Sequence, residues 1–308
     1  MFFFRSRLTR FFTRDIMYST MTLKKKAYQD LTFADDFMFC NIMQNNLDIC
    51  KDLVELILDR KIGEIKFSEA QKALDIKLGQ KGVRLDVYFE DDFDTLYNIE
   101  MQTVNRPNLP KRSRYYQGLI DLNQIRSGTD FRDLKRSNIV FICMFDFFNL
   151  DFPIYEFEPR CTRKPDLRLN DETSRVFVNA TSTENTMSND LKSFLTYLTK
   201  GVADSMLTRK IDEEVRRGKE NEMWELSYMK SIEHDRENFN DGFNEGFNEG
   251  FTKGQAEGHA EGQAEIIKRL YDSGMTIPVI AKAINESEKA VAEMLDSYKD
   301  EIIDERKK

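Results

Sequence analysis

The chain has 308 residues, 40% hydrophobic and 12% aromatic, with 46 Lys+Arg against 54 Asp+Glu for a net charge of −8. That is enough apolar material for one good core and a smaller appendage, and no uninterrupted apolar run approaches the roughly 18 residues of a membrane-spanning helix. The only two histidines, His234 and His259, fall after the expected core; this excludes Ser-His-Asp, Cys-His, HNH-type and zinc-hydrolase sites and leaves carboxylate-metal chemistry.

The charge is unevenly spread. Residues 205–308 hold 16 Lys+Arg and 24 Asp+Glu, so residues 1–204 hold 30 of each and balance. A neutral core can still present a local basic groove to phosphates. Cys40, Cys50, Cys143 and Cys161 stand in apolar contexts without C-x-x-C spacing, which argues against a zinc site and for reduced core thiols in a cytoplasm.

In chain order, residues 1–29 read as an extension. Its Phe residues interleave with Arg5, Arg7, Arg10 and Arg14, without the apolar h-region of a secretory signal. It is either a disordered segment, with Met17 or Met21 as the true start, or a basic amphipathic segment for a membrane or for targeting. Phe33, Phe37, Phe39, Ile42 and Met43 predict a helix after a Thr32 or Asp35 cap, and a second helix follows over residues 47–58. Asp36 falls in the first turn, where a carboxylate favours the helix dipole. Glu55 reads as a surface acid. Residues 62–67 and 73–78 predict two short strands.

Residues 82–104, GVRLDVYFEDDFDTLYNIEMQTV, form the centre of the pattern. β-Branched and aromatic residues recur with period two from Val83 to Phe89 and from Leu96 to Val104, around an acidic turn, which predicts a hairpin. Arg84, Asp86 and Tyr88 share one face of the first strand, and Glu100 and Gln102 share one face of the second. That register sets Asp86 beside Glu100. Like charges so placed repel unless a cation sits between them, and a hard divalent ion is the natural filler. The other reading leaves both acids solvated on a polar face.

Past Pro107, a helix with Pro110 in its first turn carries an apolar stripe of Tyr115, Leu119 and Leu122, with Arg112 three residues ahead and Lys111 and Arg114 flanking it. Arg112 either reaches the carboxylates or a phosphate, or snorkels over the core. Residues 139–145 predict a buried central strand, and residues 154–157 and 176–179 predict further strands. Between these last two, Arg160, Arg163, Lys164 and Arg168 form a basic patch, either a phosphate track or a solvated loop. Residues 187–200 predict a closing helix.

Beyond residue 201 the chain turns into charged helix. Gly242, Gly246, Gly250, Gly254, Gly258 and Gly262 then fall every fourth residue. Each such glycine costs a helix roughly 0.8–1 kcal/mol relative to alanine, so a flexible spacer is the expectation, with a helix-packing groove for self-association as the alternative. The last segment predicts three short helices broken at Gly274 and Asn285. It resembles a small helix-turn-helix, but its third helix opens on Glu286, Glu288 and Glu293, a poor surface for phosphate, so it reads as a packing or protein-partner module more readily than a DNA reader.

The runs LTFADDFMFCNIMQNN, RLDVYFEDD…LYNIEMQT and LPKRSRYYQGLIDLNQI, in this order over roughly residues 30–200, resemble the recombination-promoting nuclease (Rpn) and putative transposase family of the PD-(D/E)xK nuclease superfamily. The resemblance implies an α/β, restriction-endonuclease-like core, a central mixed sheet flanked by helices, here with a helical C-terminal extension. It further implies Mg²⁺-dependent hydrolysis of DNA phosphodiesters (Mn²⁺ as substitute), in recombination or transposition. Asp86 matches the motif aspartate, and Glu100 and Gln102 match an E-x-K element written E-x-Q. Asp36 matches the acidic residue of the first helix. The expected catalytic set is Asp36, Asp86, Glu100 and Gln102; the expected metal ligands are Asp86, Glu100 and the Met101 carbonyl. The R-x-x-Y-Y segment makes Arg112, Arg114 and Tyr115 the expected substrate wall.

The expected divisions are 1–29, a nuclease-like domain over 30–200, a charged helical linker over 201–240, the glycine repeat over 241–264 and a small helical module over 265–308. DNA is the expected partner, with a second copy of the chain as a further candidate through the C-terminal helices and no membrane. The competing class is a catalytically weak or inactive DNA-binding or assembly protein on the same scaffold.

Overall fold

The computed structural model describes residues 26–74, 83–125, 128 and 130–305, without side chains at 67–71, 73–74 and 297–305. The readings made on residues 1–25 and 75–82 lie outside these. The chain divides into two compact units, Met1–Met229 and Lys230–Lys308.

In the first unit, α1 (Asp36–Asn45) and α2 (Leu47–Leu58) lead into β1 (Ile65–Leu74), β2 (Val83–Asp91), β3 (Leu96–Gln102), α3 (Leu109–Gln124) and β4 (Ser137–Cys143). Then come β5 (Ile154–Phe157), β6 (Arg160–Cys161), β7 (Lys164–Arg168), β8 (Thr173–Asn179), α4 (Asn189–Lys200) and α5 (Met206–Lys219). Six strands form one mixed sheet in the order β1-β2-β3-β4-β8-β5. β1, β2 and β3 run as an antiparallel meander, β3, β4 and β8 are parallel, and β5 returns antiparallel at the edge. One strand from Ile65 to Leu74 stands where two short ones were predicted.

Period-two alternation sorts the sheet into two cores. Tyr97, Ile99 and Met101 of β3, Val140 and Ile142 of β4, and Val176 and Val178 of β8 pack with residues of α1, α2, α4 and α5. Leu96, Ile139, Phe141, Cys143 and Phe177 face the opposite way, toward Leu109, Tyr116, Leu119 and Ile120 of α3. Every residue of β4 is buried, as its unbroken apolar run required. The sandwich is held at the hairpin tip by Asp91, which is fully buried. Its carboxylate accepts the N–H groups of Gly63, Phe93 and Thr95, each at 3.0 Å, and the Tyr97 hydroxyl at 2.9 Å.

Three expectations need correction. On α3 the buried residues include Leu109, Ser113, Tyr116, Leu119 and Ile120, while Tyr115 and Leu122 are exposed; the stripe is turned by one residue because Tyr116, not Tyr115, faces Phe141 across 6.1 Å. Cys161 is exposed on the β6–β7 hairpin, whereas Cys40, Cys50 and Cys143 are buried. The basic patch there is partly neutralised, since Arg160 and Arg168 both pair with Glu158.

Tyr28, within the stretch read as an extension, is buried and donates its hydroxyl to the Gly218 carbonyl at 2.5 Å. A further correction concerns the glycine repeat: it is helical, not a flexible spacer. α6 runs unbroken from Glu222 to Asp272. Phe239, Phe243, Phe247 and Phe251 stack along it at 6.1–6.3 Å between ring centroids, a packing at four-residue spacing that offsets part of the glycine cost.

The second unit closes with α7 (Ile277–Ile284) and α8 (Glu288–Glu305). Ile267, Ile280, Ala281, Val291 and Leu295 form its core. The breaks fall where expected, at Gly274 (φ 93°) and Asn285 (φ 58°), both left-handed, a conformation glycine and asparagine adopt at least cost. Among the described residues no helix is long and apolar enough to cross a membrane.

Candidate active site

The β2–β3 ladder runs from Glu90 opposite Leu96 to Val87 opposite Ile99. One step further, side chains take over the pairing. The Asp86 N–H donates to Glu100 Oε1 at 3.1 Å, and the Met101 N–H donates to Asp86 Oδ2 at 3.0 Å. The alternation of β2 breaks at this point: Val87 and Phe89 belong to the first core, yet Leu85, two residues before Val87, belongs to the second. Asp86 and Glu100 thus meet as the register predicted, at the carboxyl end of β3.

On the α3 side of β3, the residues at even positions are Asn98, Glu100 and Gln102. Glu100 is 1% exposed. Asn98 Nδ2 donates to Glu100 Oε1 at 3.1 Å. Arg112 reaches in from the first turns of α3, where its Nη2 donates to Glu100 Oε2 at 3.2 Å and its Nη1 to Gln102 Oε1 at 2.9 Å. Its guanidinium lies over the rings of Tyr116 and Phe141, at 5.3 and 5.4 Å. Gln102 Nε2 donates to the Met101 carbonyl at 2.8 Å, so that oxygen already has a partner.

From the α1 side come Asp36, in the first helical turn, and Cys40 one turn later. Cys40 Sγ lies 3.4 Å from both Asp36 Oδ1 and the Asp86 carbonyl oxygen. The ligand atoms of Asp36, Cys40 and Asp86 all fall within 4.8 Å of one another; Glu100 is not a member of that set. Arg84 Nη2 stands 4.0 Å from Asp36 Oδ2.

Burial pushes the Asp86 carboxyl well above the usual carboxylate range, and the charges of Glu100 and Asp36 add to this against the Met101 N–H and Arg112. Burial raises Glu100 too, opposed by the Asp86 N–H, Arg112 and Asn98. The Cys40 thiol is driven up by burial, then by the charges of Asp36 and Asp86, and is held protonated. Asp36 and Asp86 thus share a ligand set with the Cys40 sulfur, while Glu100, outside that set, is latched to Asp86 through backbone N–H groups and hydrogen-bonded by Arg112. The carboxylate oxygens of Asp36 and Asp86 suit a hard divalent cation, which binds oxygen and relieves like-charge repulsion.

Beside this cluster opens a cleft of about 690 Å³, lined by Met101, Gln102, Arg84, Arg106, Lys111, Arg112 and Tyr115 among others. Its wall holds four cationic side chains and no acidic one, the lining that favours a polyanion. Two other cavities, about 360 and 680 Å³, open at the amino ends of the parallel strands. There Arg60 and Arg136 are interspersed with Asp and Glu, so neither presents a single sign of charge.

Of the residues expected from sequence, Asp36, Asp86, Glu100, Gln102, Met101 and Arg112 come together here, and Tyr115 lines the cleft. Arg114 is exposed and does not line it. Sequence reasoning passed over Asn98 and assigned Cys40 to the core alone. Their signals were present as period two from Glu100 on a strand and i+4 from Asp36 on a helix.

A mixed sheet between helical layers, with acidic residues gathered at the end of its central hairpin, has the layout of a restriction-endonuclease-like α/β fold. Residues 33–238 match the family described as PD-(D/E)XK nuclease family transposase, and the chain belongs to that family. No curated protein and no solved structure matches the chain.

Proposed function

We propose that the protein is a divalent-metal-dependent endonuclease hydrolysing DNA phosphodiesters, acting in recombination or transposition, with Mg²⁺ as its ion and Mn²⁺ as a substitute. The observation that carries this is the latch between Asp86 and Glu100, two acids held together with Asp36 nearby, beside a cationic cleft whose wall includes Met101, Gln102 and Arg112. Folding forces these like charges together, at a cost that a bound cation would offset.

Asp86 and Glu100 would hold the ion, with Asp36 as a further oxygen donor. Such an ion supplies Lewis-acid polarisation of a phosphoryl oxygen and lowers the pKa of water. The protein's own part is positional. The Met101 N–H and the Asp86 N–H orient the two carboxylates, and Asn98 fixes Glu100. Arg84, Arg106 and Lys111 would meet backbone phosphates, while Tyr115 offers a ring for a base. The scaffold-only reading rests on Gln102, which carries no charge where the wider superfamily has lysine. In the C-terminal unit, a second copy of the chain is the partner the phenylalanine ladder would suit.

The test is cleavage of plasmid DNA by the purified chain over Mg²⁺ and Mn²⁺. Loss of cutting in both Asp86→Ala and Glu100→Ala supports the enzyme. Equal cutting by those variants rejects the site, and DNA binding indifferent to metal favours the scaffold.

A further inference from the structure

We propose that Arg112 supplies, from another element, the positive charge that position 102 lacks, so that Gln102 and Arg112 together do what one motif lysine would do. This rests on the nuclease reading above. Three observations converge on it.

First, one guanidinium spans both motif positions, giving Nη2 to Glu100 and Nη1 to Gln102. Among the described residues it is the one cation hydrogen-bonded to the Asp86–Glu100 pair. Second, the amide of Gln102 is turned so that its oxygen meets Arg112 while its nitrogen satisfies Met101. A lysine at 102 could accept nothing from a guanidinium and would repel it. The identities at 102 and 112 are therefore coupled: a neutral acceptor is needed where the cation comes from elsewhere.

Third, Arg112 is built in as a fixed charge rather than a surface tether. Its side chain is 25% exposed, its plane rests over two rings, and its buried Nε has no hydrogen-bond partner. Arg84 also stands in the cleft wall, 4.0 Å from Asp36, but Arg112 is the cleft-wall cation hydrogen-bonded to Glu100, the place from which it can act on both an ionised Glu100 and an incoming phosphate. Arg112 is thus a positioning residue for Glu100 that offers electrostatic stabilisation to charge developing on the phosphoryl group.

The experiment compares wild type, Arg112→Ala, Arg112→Lys, Gln102→Lys and the Gln102→Lys/Arg112→Ala double variant. Each is checked for folding by circular dichroism, for Mn²⁺ affinity by calorimetry, and for kcat and KM on DNA. If Arg112→Ala does not fold, Arg112→Gln replaces it. Expected is a fall of about a hundredfold in kcat for Arg112→Ala, with Mn²⁺ bound several-fold more tightly because a competing cation is gone. Gln102→Lys alone is expected to bind Mn²⁺ more weakly and to cut more slowly. In the double variant both properties should move back toward wild type, since a lysine at 102 restores one charge.

Arg112→Ala cutting as wild type does, or a double variant no better than Arg112→Ala, overturns the proposal. A wild type that cuts with neither Mg²⁺ nor Mn²⁺ sinks the nuclease reading instead. The calorimetric order then still decides the charge equivalence: Mn²⁺ bound no more tightly by Arg112→Ala, or a double variant that does not return toward wild type, rejects it.

Discussion

Asp86 and Glu100 exchange hydrogen bonds crosswise: the carboxylate of Glu100 takes the backbone N–H of Asp86, and the carboxylate of Asp86 takes the N–H of the residue after Glu100. Each acid thus completes the other's strand. The two functions, sheet end and acid pair, cannot be separated, and this shapes what substitution will do.

Replacing Asp86 by Asn removes one of two like charges while keeping an oxygen for Met101. The metal-free variant should be more stable than wild type at pH 8, by on the order of 1 kcal/mol or more, and should lose the upward shift in melting temperature that Mg²⁺ gives wild type. Differential scanning fluorimetry with and without Mg²⁺ measures both. A variant that melts lower and still responds to Mg²⁺ would contradict the arrangement.

Both carboxyls titrate above their unfolded values of about 4, so the folded state binds protons more readily than the unfolded chain. Their unfavourable contribution is absent below the unfolded pKa and grows as pH rises from there through neutrality. Metal-free protein should therefore be more resistant to urea at pH 5 than at pH 8 in proportion to this pair, and saturating Mg²⁺ should shrink the difference. A difference that Mg²⁺ leaves unchanged would place its source elsewhere.

Asp91→Ala strips the acceptor from three backbone N–H groups and the Tyr97 hydroxyl. The expected loss is about 2–4 kcal/mol, read as a lower urea midpoint, and Asp91→Asn should recover part of it. Full stability in Asp91→Ala would show that water replaces the lost acceptor.

At Gly250 and Gly254 an added methyl group meets nothing within 4 Å. The double alanine variant should therefore gain roughly 0.8–1 kcal/mol of helix stability per site, seen as slower amide hydrogen exchange across these residues. Faster exchange would mean the glycines serve a close contact instead.

Cys40 is the soft atom among oxygens, within 4.8 Å of Asp36 and Asp86 ligand atoms. A thiophilic ion such as Cd²⁺ should bind there with a sulfur-to-metal ultraviolet band that Cys40→Ser lacks. Cd²⁺ binding without that band would place the ion away from the thiol.

How far the sequence could be read follows from which contacts are local. Period two along Val87–Phe89 and Leu96–Gln102 makes the hairpin legible, and its register carried one step further brings Asp86 to Glu100, whereas the break in alternation at Leu85 was not legible; the wholly apolar residues 139–143 read as an interior strand. The rotation of α3 was not legible, because Tyr115 and Tyr116 are chemically alike and only the location of Phe141, set by the sheet, chooses between them. The glycine repeat misled for a related reason. Intrinsic propensity disfavours helix there, while the aromatic stacking that supports it appears only once the four-residue spacing is wound into three dimensions. Cys40 looked like filler because its neighbour Asp86 is 46 residues away.

The connection between β3 and α3, residues 103–108, acquires a meaning from the guanidinium it delivers. It starts the helix at Leu109, three residues before Arg112. Each residue turns a helix by about 100°, so the same arginine at 111 or 113, on a helix packed by the same apolar face, would be swung away from both acceptors on β3. The helix start and its packed face together aim one charge.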